Sequence, residues 1–175
     1  MMQFKSVMAL LGWAFQIEAT AIAKTAKLGE SSAPAWGGMS PHDQHGQASM
    51  VMAKVNRLPF AERTAVWAYF TAMPAHVMAL AESLPAEWPR SMRVELVTGW
   101  AMDGKLKRTQ KEMCAEHGIS EDTMTRRKKS SFCTLDGMLA RATAVIELQH
   151  LDLIVSPSRK NAHRSCCQRA ADCVQ

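Results

Sequence analysis

A chain of 175 residues that is 47% apolar but only 6% aromatic, with 13 Met and a single Tyr, points to one mostly helical domain plus a tail rather than a β-rich fold, because unbranched side chains lose little rotamer freedom on a helix. Its net charge of +5 is unevenly placed: Lys105 to Ser131 hold eight Lys/Arg against four Asp/Glu, Ser156 to Gln175 add +3, and the remainder carries −2, a focusing expected where a polyanion is met. Five cysteines at irregular spacing exclude a regular disulfide framework, and no apolar run approaches the ~20 residues that a bilayer-spanning helix needs.

The N-terminal run "MMQFKSVMALLGWAFQIEATAIA" combines one Lys with a short apolar stretch, as a secretory leader does. However, Phe4, Met8, Leu11, Phe15 and Ile22 recur at helical spacing, and Gln16 and Glu18 interrupt the run. That pattern predicts a packed amphipathic helix from about Gln3 to Lys27, and the odd, irregular cysteine count predicts a cytoplasmic chain with reduced thiols. "LGESSAPAWGGMSPHDQHG", residues 28–46, gathers Gly, Ser and Pro without a period and reads as a loop. Its His42, Asp43 and His45 read as polar surface.

Helical pattern resumes at Gln47, where Val51, Val55 and Leu58 lead to a turn at Pro59. In the next helix Phe60, Val66, Trp67 and Phe70 form the expected buried stripe. A further segment spans His76 to Ser83 between prolines, and "PRSMRVELVTGWAM" places Met92, Leu96 and Trp100 on one side. Trp13, Trp67, Trp88 and Trp100 all sit in apolar helical patterns and are expected as core anchors. His76, His117 and His150 are scattered and read as structural.

In "RTQKEMCAEHGISEDTMTRRKKSSF", Arg108 to Phe132, Met113 faces a core, Cys114 or Ala115 supplies a small contact, and Gly118 supplies a turn residue that tolerates positive φ. Ile119 inserts below the turn, Ser120 caps a second helix and Met124 anchors it, with Glu121 and Asp122 at the favourable end of the helix dipole. After it, "TLDGMLARATAVIELQHLDLIV" reads as a closing helix capped by Thr134, with Leu135, Met138, Leu139, Ala142, Val145, Ile146 and Leu148 apolar. The last 20 residues lose all apolar period and read as a disordered basic tail; "HRSCCQRAADC" within it lacks the spacing of a metal site.

The run "GISEDTMTRRK" resembles the G-I-S-x-x-T-V-x-R sequence of the helix-turn-helix superfamily of DNA-binding proteins, over Gln110 to Ser131. Two residues depart from the pattern: His117 stands where a leucine is common, and Arg127 where an aliphatic residue often completes the contact between helices. The resemblance implies an all-α helical bundle in which Glu121 to Lys129 is a recognition helix. Ser120, Glu121, Asp122, Thr125, Arg126 and Lys129 would point outward, with Arg126 reading a base and Lys128, Lys129, Lys107, Arg108 and Lys111 meeting phosphates. "LPFAER", with Leu58, Pro59 and Arg63, is similar to the turn before the helix-turn-helix of sigma-factor region 4 and of Q-type phage antiterminators, although about 45 residues separate it here from the motif.

The expected organisation is a helical region over 1–104, the helix-turn-helix and closing helix over 105–155, and the tail over 156–175. The expected function is a sequence-specific transcription regulator of phage or prophage origin, binding double-stranded DNA as a homodimer, with RNA polymerase as a further partner if the antiterminator likeness holds. A DNA-packaging protein of the small-terminase kind is the alternative. No enzyme signature occurs: there is no phosphate-binding glycine loop, no G-x-S-x-G, no H-E-x-x-H and no requirement for a cofactor or metal.

Overall fold

A computed structural model of the chain describes residues 3–24, 39–106 and 108–155. The protein is all-α. Among the described residues the helices are α1 (Val7–Lys24), α2 (Pro41–Asn56), α3 (Phe60–Thr71), α4 (Pro74–Ala81), α5 (Arg90–Ala101), α6 (Gln110–His117) and α7 (Glu121–Gln149). They divide into two compact units, one of residues 3–24, 39–58 and 142–155, the other of 59–106 and 108–141, so the dividing point falls inside α7. The tail from Ser156, with His163 and its cysteines, lies outside the described residues, as do residues 28–38 of the expected loop.

In the first unit α1 packs on α2. Leu10, Leu11 and Ala14 of α1 and Ala48, Val51 and Val55 of α2 are fully buried, giving an apolar layer of the kind that drives helix association. The N-terminal helix starts at Val7 rather than Gln3. Phe4 is instead held by backbone pairing: its N–H donates to Leu153 O at 2.8 Å and its carbonyl accepts from Val155 N at 2.9 Å, with its ring 5.2 Å from that of Trp13. A second correction concerns residues 41–46, which are helix and not loop. Ser40 caps α2 by accepting from Asp43 N at 3.2 Å, and Pro41 sits at the first helical position, where its missing N–H costs nothing. His42, Asp43 and His45 are therefore residues of the first two turns of α2.

In the second unit α3, α4 and α5 pack on one another. Phe60 does not join the buried stripe of α3. It is 64% exposed and lies under the Arg63 guanidinium at 5.8 Å, while Thr64, Ala65, Val66 and Ala68 are buried. Trp67 is half-buried and stacks on His76, ring centroids 5.4 Å apart. Arg93 is buried on α5 and donates to Ala81 O at 3.0 Å and to Glu82 Oε2 at 3.1 Å, satisfying a carbonyl that the end of α4 leaves open. Trp100 is buried, and its indole N–H donates to Asp136 at 2.9 Å.

Candidate nucleic-acid interface

Thr109 begins α6 with a capping box: its hydroxyl accepts from Glu112 N at 3.3 Å, and the Glu112 carboxylate accepts from Thr109 N at 2.8 Å. Those hydrogen bonds hold the Glu112 carboxyl below the usual range. At the other end Gly118 takes φ 61° and ψ 33°, and both its N–H and that of Ile119 turn back to Cys114 O. A left-handed residue here closes α6 within one step, which is the αL cap that glycine accepts without a Cβ penalty. Ser120 then accepts from Thr123 N at 3.2 Å and starts α7.

Beneath this turn Met92 and Leu96 of α5, Met113 and Cys114 of α6 and Met124 of α7 form one buried cluster, with Trp88, Leu106 and Ile119 packed against it. Gly99 allows this, since a Cβ there would meet Leu106 Cδ2 at 2.5 Å. Residues Met113, Cys114, Ile119 and Met124 thus occupy the places that their spacing in the sequence indicates; Ala115 is exposed, so Cys114 supplies the small contact.

The second helix differs from expectation. No closing helix starts at Thr134; α7 runs unbroken from Glu121 to Gln149. Thr134 is not a cap, because its hydroxyl donates to Ser130 O at 3.0 Å, as Ser131 donates to Arg127 O at 2.8 Å. The buried positions Met124, Ser131, Leu135, Leu139, Ala142 and Ile146 keep one helical phase through the junction, so nothing requires a break.

Of the expected outward residues, Ser120, Glu121, Asp122, Thr125, Arg126 and Lys129 are all exposed, as is Lys111 on α6. Thr125 also receives a hydrogen bond from Gln110 Nε2 at 2.6 Å, and the same amide donates to Glu121 O at 3.2 Å. Gln110 ties the start of α6 to the first turn of α7; the helical pattern of the sequence leaves such a polar clasp unmarked. Arg126 Nε lies 3.4 Å from Asp122 O. Lys128 is half-buried with its ammonium 5.5 Å from the centre of the Phe132 ring, rather than fully projected. Lys107 lies outside the described residues.

Arg127 and Arg108 engage groups of the protein itself. Arg127 is half-buried, its guanidinium 5.3 Å from the centre of the Trp88 ring and its Nη1 3.6 Å from Met92 Sδ, so it takes the place where the helix-turn-helix pattern has an aliphatic residue. Arg108 donates through Nε to both Glu95 oxygens at 3.0 and 3.1 Å, with Nη2 also on Glu95 and Nη1 on Glu116. Hydrogen bonding to Glu95 raises the Arg108 pKa further. Comparison with protein-family models, curated proteins and solved structures found no match to this chain.

Proposed function

We propose that the chain is a sequence-specific double-stranded DNA-binding protein of the transcription-regulator kind, reading DNA with the outer side of the first turns of α7. One observation carries this reading: α6, the Gly118 turn and the first turns of α7 sit on an apolar core, while the residues Ser120, Glu121, Asp122, Thr125, Arg126 and Lys129 are all exposed. A helix held on one side and open on the other is what a major groove about 12 Å wide admits. The planar fork of Arg126 suits guanine O6 and N7, Thr125, whose hydroxyl is held by Gln110 and Glu121 O, suits a thymine methyl through its own methyl, and Lys129 and Lys111 suit phosphates. Glu121 and Asp122 would refuse phosphate and accept only from a base amine such as cytosine N4, which favours selective over indiscriminate contact.

One such helix spans only a few base pairs, so a homodimer is the natural binding form. In the first unit Val145, Leu148, Leu151 and Val155 are 42, 72, 58 and 49% exposed, an apolar run suited to self-association. The same run favours a second reading, an assembly protein that packages DNA. A solution mass of two chains supports the regulator; a larger closed ring supports packaging. Selection from a randomised duplex pool tests the reading itself. A shared sequence of a few base pairs is the expected result; retention of no duplex would remove the proposal.

A further inference from the structure

Among the described cations between Lys105 and Ser131, Arg108 and Arg127 interrupt the basic surface, because their side chains are engaged within the protein. All three Arg108 guanidinium nitrogens already donate to Glu95 of α5 or Glu116 of α6. The Glu95 side chain is only 10% exposed, so this pair joins the segment before α6 to a nearly buried carboxylate on α5. Arg127 shares its side of α7 with Met124, three residues earlier, and meets Trp88, just before α5, and Met92 on α5. A guanidinium suits that place because it is flat, weakly hydrated and stacks on an aromatic face while its stem packs as a hydrocarbon.

We propose that Arg108 and Arg127 are positioning residues: they fasten α6 and α7 to α5, set the angle at which the outer face of α7 is offered, and make no contact with DNA phosphates. The inference rests on the DNA-facing reading of α7 and assigns a division of labour within its basic stretch. Arg126 and Lys129 face the polyanion; Arg127, between them, faces the protein. A phosphate approaching Arg108 would meet the negative charge of Glu95 and Glu116 beside it, and drawing the fork away would leave the nearly buried Glu95 uncompensated.

The test compares Arg127→Met, Arg127→Lys and Arg108→Gln with Lys129→Ala, each binding its selected site and random duplex across a salt series, at a temperature where circular dichroism shows every variant folded. Arg127→Met and Arg108→Gln are expected to keep the parent's salt slope while losing roughly tenfold or more of the preference for the selected site, the size of effect that one good base contact provides. Arg127→Lys should restore part of that preference. Lys129→Ala should do the opposite, lowering the slope by about one unit with the preference little changed. If Arg108→Gln is unfolded, the double replacement Arg108→Gln with Glu95→Gln, which removes both charges, is measured in its place. A merely structural role would leave the preference of the folded variants intact, and that result overturns the proposal. A slope reduced by one unit in Arg127→Met or Arg108→Gln also overturns it, because those cations would then be meeting phosphate. Failure of the parent protein to bind any duplex removes the DNA reading instead, whereas slope loss in a binding protein removes only the positioning role.

Discussion

Gly118 is the residue on which the α6–α7 turn depends, and the physical demand there is backbone and not space. Its φ of 61° lies in the left-handed region, yet a Cβ would find nothing within 4 Å. Gly118→Ala should therefore cost about 1–2 kcal/mol of stability through strain alone, and Gly118→Asn less, because Asn tolerates this conformation several-fold better. Chemical denaturation of both variants checks this; equal losses would mean that the turn is not held at positive φ. His150 gives a second residue-level prediction. It is buried, and desolvation followed by the charge of Lys54 pushes its imidazole below the ordinary range, with Asp152 opposing. His76 is lowered likewise by burial and Arg63. The folded state then binds fewer protons than the unfolded chain below the ordinary His value of about 6.5, so stability is complete above that pH and is lost as the pH falls through it. Melting temperature should drop between pH 7.5 and 5.5, and His150→Leu should flatten the drop. An unchanged profile in that variant would assign the pH dependence elsewhere.

At the scale of elements, the short polar helix α6 and its turn were legible in the sequence because each local signal agrees: apolar Met113, small Cys114 or Ala115, then Gly118 and a Ser cap; the Thr109 capping box adds to these in the structure. The length of α7 was not. "TLD" has the chemistry of a helix start, but a cap is used only where the N–H groups of the next residues are open, and in the unbroken α7 the preceding turn already takes them, while Thr134 and Ser131 satisfy their hydroxyls on the helix itself. The start of α2 was hidden for the converse reason, since Ser-Pro-x-Asp lies in a stretch whose Gly and Pro content suggests a loop. The inward place of Arg127 was marked only by the resemblance, which has an aliphatic residue there; its stacking on Trp88 and the clasp of Gln110 on Thr125 escaped because they depend on tertiary neighbours. Continuity of α7 has a direct consequence. Thr134→Ala should be neutral or stabilising by a few tenths of a kcal/mol, where loss of a true N-cap would cost about 1 kcal/mol. Gly137→Ala should stabilise by about 0.5–1 kcal/mol, because the added Cβ meets nothing closer than Arg141 Nη1 at 3.7 Å. Destabilisation by both changes, read from thermal melts, would indicate two helices.

For the whole molecule, the proposed function requires that a chain of modest charge read DNA and not merely adhere to it. The basic stretch carries four acidic residues beside its eight cations, and Arg108 and Arg127 are engaged within the protein, so the outward field is weaker than the count suggests. A weak field favours selective contact, since non-specific affinity grows with the number of phosphates neutralised. The most direct measurement is the binding of Arg126→Ala and Lys129→Ala, beside the parent, to a selected duplex and a random duplex over a salt series. Arg126→Ala should remove discrimination at one base pair, about 1–3 kcal/mol, with random binding nearly intact, while Lys129→Ala should weaken both duplexes alike and reduce the salt slope by about one. Equal losses on both duplexes for the two variants would contradict the account and leave α7 with a non-specific electrostatic face.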